Sequence, residues 1–142
     1  MEIEHESLAR NRTAKRILVL DSVGALVAGA AVLALLPWLA PLHALPSSLL
    51  LTVGVVNLTY GTYSGALAIA LARGRGISRP AIDVLIAGNL AWAVVCLAVV
   101  ALHAGRANIS GLLHIGLEGA YVALLARLER RHVRPVARAR RE

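Results

Sequence analysis

Four uninterrupted apolar stretches leave this chain little choice of architecture. They cover residues 17–36, 49–72, 81–104 and 109–126, so each is 18 to 24 residues long. At about 1.5 Å of rise per residue, a helix of that length crosses a hydrocarbon core about 30 Å thick. In lipid the backbone must satisfy its own hydrogen bonds, which excludes loops and open strands at that depth. With 58% hydrophobic residues, the 142-residue chain is too apolar for a soluble domain. The sequence predicts an all-α polytopic membrane protein: a single domain over residues 1–142, folded as an antiparallel bundle of four transmembrane helices with short connections.

The basic residues predict its orientation. Arg10, Arg12, Lys15 and Arg16 precede the first stretch, and Arg73, Arg75 and Arg79 separate the second from the third. Seven more arginines lie over residues 127–141, which leaves Arg106 alone on the other side. By the positive-inside rule both termini are cytoplasmic, and the expected location is the plasma (inner) membrane. The lead over residues 1–16 is too long and mixed in charge for a signal peptide, and no lipidation motif is present, so the first span is expected to be retained. The basic tail, residues 127–142, reads as a solvated topology signal beside anionic lipid headgroups. Nucleic acid is not an expected partner, because no aromatic residues are interleaved with these arginines.

Between the spans, PWLAPLHALPSS carries three prolines and predicts an uncharged outer turn, with Ser47 or Ser48 capping the next helix. RGRGISRP predicts the inner turn and lacks the pattern of a phosphate loop. Asp83 follows it in the first turn of a helix, where an acid suits the positive helix end and nearby arginines. Small residues suggest close helix packing: Gly24 with Ala28, Ala25 with Gly29, and Gly61 with Gly65, the last against a neighbour or a second copy. Cys96, the only cysteine, excludes an internal disulfide and reads as a small core residue.

The chemistry of the spans centres on Glu118, the single carboxylate in the fourth. An acid at the bilayer centre costs at least about 2.5 kcal/mol and marks a functional-site hypothesis. His114, Glu118 and Tyr121 share one helix face. Registered by depth, Asn57 and Tyr60 on the second span and Asn89 and Trp92 on the third fall within about two turns of the same level. Asp21 on the first span has two readings: it joins this cluster, or it sits at the interface and pairs with Lys15 or another cytoplasmic base. Polar groups at that depth are expected to converge inside the bundle or at a subunit interface. Asn, Tyr and Trp donors would then support the Glu118 anion, with the Trp92 indole directed to Glu118 or Asn57. The candidate ligand- or proton-binding residues are therefore Glu118, Tyr121, Asn57, Tyr60, Asn89, Trp92 and Asp21.

His43, His103 and His114 all fall on the outer side and are weaker candidates for a metal or haem site, since no tight spacing links them. No resident cofactor is otherwise expected. Hydrolytic triads, zinc-protease motifs and dinucleotide fingerprints are missing, so soluble-enzyme chemistry has no support, and a membrane enzyme or haem carrier depends on the outer histidines. The sequence favours a small inner-membrane protein that binds or transports a small polar or cationic ligand, or a proton, through a buried site around Glu118. Four helices rarely enclose a pathway alone, so this reading implies a homo-oligomer or a membrane-protein partner. The alternative is a non-catalytic structural subunit or assembly factor of a larger membrane complex.

Overall fold

The computed structural model describes residues 2–137, with side chains from Leu8 onward. Five α-helices account for most of it: α1 (Glu2–Ala34), α2 (Leu36–His43), α3 (Ser47–Ala72), α4 (Arg79–His103) and α5 (Ile109–Leu128). No strand occurs among the described residues. Four segments are long and apolar enough to cross a membrane: Leu8–Ala34, Ser47–Ala72, Arg79–His103 and Ile109–Val136. Leu20, Val27, Val94, Leu97 and Leu117 are each more than 60% exposed along their outer faces. A soluble protein seldom tolerates so much contiguous apolar surface, whereas lipid covers it without penalty.

Two helix pairs make the bundle. α1 packs antiparallel on α3, and α4 on α5, while the contacts between the pairs are sparser. Glycine explains the first pair's closeness. A Cβ on Gly29 would lie 2.8 Å from the Gly54 carbonyl oxygen, and one on Gly61 would lie 2.9 Å from the Leu26 nitrogen. Ser22 Oγ also donates to the Gly61 carbonyl at 2.8 Å. The small-residue motif of α3 thus serves an internal neighbour. In the second pair Gly119 faces Cys96, which is buried in the core as expected.

The seams between the pairs are bridged by tyrosine. Tyr60 on α3 donates to the Leu85 carbonyl on α4, and Tyr63 donates to that of Ala81 at 3.0 Å. Tyr121 on α5 donates to the Leu20 carbonyl on α1 at 3.2 Å. These are all three tyrosines of the chain.

The far end, away from the basic residues, departs from the expected turn. Residues 36–43 form α2, because Pro37 occupies the first helical turn, where no N–H is needed. Ala44 ends the helix at a left-handed φ of 50°. The start of α5 caps its spare carbonyls: Asn108 Nδ2 donates to Leu42 at 2.9 Å and the Asn108 backbone N–H to His43 at 3.0 Å. Pro46, not Ser47 or Ser48, is the N-cap of α3.

At the basic end a larger correction applies. Residues 127–136 are not a solvated tail: α5 continues through a π turn, Glu129–Val133, and a 3-10 turn, Arg134–Val136. Arg127, Arg130 and Arg131 face outward, but Glu129 and Val133 are completely buried against α1 and α4. Arg134 closes on Asp83 with Nε–Oδ1 2.7 Å, in accord with the placement of that acid near arginines. Residues 138–142 of the expected tail lie outside the described residues.

Candidate functional site

Between the helix pairs lies a cavity of about 270 Å³. Asn57, Tyr60, Asn89, Trp92, Glu118 and Tyr121, the six residues matched by depth, all line it, and Asp21 joins them. Alanine, valine and glycine fill the wall between them. Two glycines make room for the rings. A Cβ on Gly24 would lie 2.7 Å from the Tyr121 hydroxyl, and one on Gly88 would lie 2.8 Å from the Tyr60 ring.

Glu118 is held from both pairs. Asn57 Nδ2, from α3, donates to its Oε1 at 2.8 Å, and Trp92 Nε1, from α4, donates to the same atom at 2.7 Å. Asn57 Nδ2 also reaches the Val53 carbonyl at 3.0 Å, which fixes its rotamer. No described residue donates to Oε2. The tyrosines do not serve Glu118 as expected: their hydroxyls reach across the seams to backbone carbonyls instead. Asn89 is also directed elsewhere.

That second destination is a deeper cluster. Asp21 is 1% exposed, so it belongs to the interior rather than to an interfacial pair with Lys15. Ser64, Asn89 and Glu129 lie within hydrogen-bonding reach of it. Asn89 Nδ2 donates to Glu129 Oε2 at 3.1 Å. Asp21 Oδ2 and Glu129 Oε1 have no donor. Sequence reasoning missed Glu129, because an apolar run ends at Arg127. The available signal was periodicity: Gly111, Ile115, Glu118, Val122, Leu125 and Glu129 follow alternating steps of four and three, a single inward stripe.

The histidines separate. His43 Nε2 and His114 Nδ1 meet at 3.1 Å, with ring centroids 5.1 Å apart, and His43 Nδ1 lies 3.2 Å from Ser110 Oγ. His103 instead bonds the Val99 carbonyl of its own helix at 3.0 Å. Among the described residues no three His, Cys, Asp or Glu side chains are grouped to hold a metal ion. Burial lowers the pKa of His43, and the neighbouring His114 charge lowers it further.

Fold and cavity together define a membrane-embedded helical bundle with an acidic, aromatic interior. No protein-family model, curated protein or solved structure matches the chain.

Proposed function

We propose that this chain is an integral membrane protein whose cavity binds a small organic cation, with Glu118 as the counter-charge. One observation carries the reading: the lining holds two carboxyl groups, three aromatic rings and no basic side chain. A carboxylate among Trp and Tyr rings suits a weakly hydrated cation, which gains from the charge and, where it meets a ring face, from the ring quadrupole. Asn57 and Trp92 orient one oxygen of Glu118 and leave the other for the ligand. The volume lies just below the drug-sized range that starts at about 300 Å³, so the ligand is small.

The basic end faces the cytoplasm in this proposal, on the strength of the charge asymmetry, and the host is the inner membrane. Movement of the cation across the bilayer, in an assembly of copies, extends the same reading and is tested by flux into vesicles.

Binding itself is tested first. Trp38 is 67% exposed and outside the cavity, so Trp38→Phe leaves Trp92 as the only tryptophan. Tetramethylammonium and tetraethylammonium are titrated against this protein in lipid nanodiscs. A saturable change in Trp92 fluorescence, lost in Glu118→Gln, is expected. A flat titration, or the same response in Glu118→Gln, would sink the reading.

A further inference from the structure

We infer that Asp21 and Glu129 hold one proton between them, at a site distinct from the Glu118 counter-charge and reached from the cavity through Asp21. The inference needs no ligand and does not rest on the cation reading.

The geometry is that of a carboxyl pair sealed inside the bundle. Glu129 is 0% exposed and Asp21 1%, and the two carboxyls lie within hydrogen-bonding reach of each other. Every polar group around them is neutral: Ser64 and Tyr60 from α3, Asn89 from α4 and Tyr121 from α5. No basic side chain is bonded to either carboxyl among the described residues. Two adjacent, unpaired carboxylates in such surroundings carry a steep desolvation penalty.

Hydrogen-bond accounting gives the stoichiometry. Asn89 Nδ2 supplies Glu129 Oε2 at 3.1 Å, while Ser64 Oγ donates to the Gly61 carbonyl. One oxygen is left over on each side, Asp21 Oδ2 and Glu129 Oε1. A buried polar atom without a partner requires an explanation. A single proton on one carboxyl, donated to the other, supplies both orphans at once.

Access is one-sided. Asp21 lines the cavity and Glu129 does not. A proton leaving the pair passes from the Asp21 carboxyl to water or a base in the cavity and leaves two carboxylates behind. Asn89 belongs to both environments, since it lines the cavity and donates to Glu129.

Infrared spectroscopy reads the proton directly. Full-length Glu118→Gln protein in nanodiscs at neutral pH should show the carbonyl stretch of one un-ionised carboxyl, shifted in heavy water. That band should vanish in Glu118→Gln carrying either Asp21→Asn or Glu129→Gln. The difference spectrum of wild type minus Glu129→Gln should show the same band without touching Glu118. Absence of the band from the Glu118→Gln protein overturns the inference, as does intensity there for two carboxyls. Loss of the band on adding sodium chloride at constant pH overturns it in favour of a monovalent cation.

Discussion

Glu118 and Glu129 stand eleven residues apart on one helical path, which is close to three full turns, so both point inward. Their surroundings differ sharply. Glu118 is partly exposed to a cavity and receives two donors on one oxygen, one from each helix pair. Glu129 has no exposure, a single donor and a second carboxyl as neighbour. Hydrogen-bonding and access make the first suited to a ligand, whereas enclosure makes the second suited to a proton. An acid in a membrane helix is therefore read from its partners, not from its depth alone.

The largest effect that tests this contrast is on stability. Glu129→Ala leaves Asn89 without its acceptor and opens a cavity where a fully buried side chain sat, so it should cost about 2 kcal/mol or more. Glu118→Gln keeps an acceptor for Asn57 and Trp92 and should cost about 1 kcal/mol or less. Unfolding by denaturant in bicelles measures both, and equal losses would erase the distinction. Next comes binding: Glu118→Gln should weaken the fluorescence-detected ammonium affinity at least tenfold, about 1.4 kcal/mol.

A smaller effect lies at the far end, which carries Arg106, His103 and the His43–His114 pair. The folded pKa of His43 is depressed below 6.5, so the unfolded chain binds more protons as pH falls. The contribution is full above pH 6.5 and is lost as pH drops from there toward the folded value. Amide exchange at Leu39 and Leu45, measured across that window, should accelerate on acidification. Exchange that responds to pH no more than it does in His43→Gln would remove His43 as the cause. The smallest effect is expected from Asp83→Asn. Both partners of the Arg134 pair are nearly half exposed, and solvent screening limits the loss to about 0.5 kcal/mol.

Length and hydropathy make the four spans legible, and depth registration brings six of the seven polar lining side chains to one level, with Asp21 left between two readings. The same hydropathy hid Glu129. A sum over consecutive residues cannot separate Arg127, Arg130 and Arg131 on the outer face from Glu129 and Val133 on the inner one, whereas periodicity can. α2 was obscured because proline composition was weighed without position: Pro37 falls where a helix tolerates it. The tyrosine partners were beyond reach for a different reason. Leu20, Ala81 and Leu85 contribute backbone carbonyls, and such acceptors carry no signature in the side-chain pattern.

Those tyrosines also give the bundle a mechanical grain. Within each helix pair a glycine lets the backbones approach too closely to shear. From mid-bundle to the basic end, the pairs are pinned to each other by three phenol–carbonyl bonds, each worth about 1 kcal/mol. The softest motion is therefore a rocking of one rigid plank against the other, with the phenols as pivots. Spin labels on Val27 and Leu117 should report a broader α1–α5 distance distribution in Tyr121→Phe. Labels placed across α1 and α3 should not move, and matching broadening in both would show that the planks themselves bend.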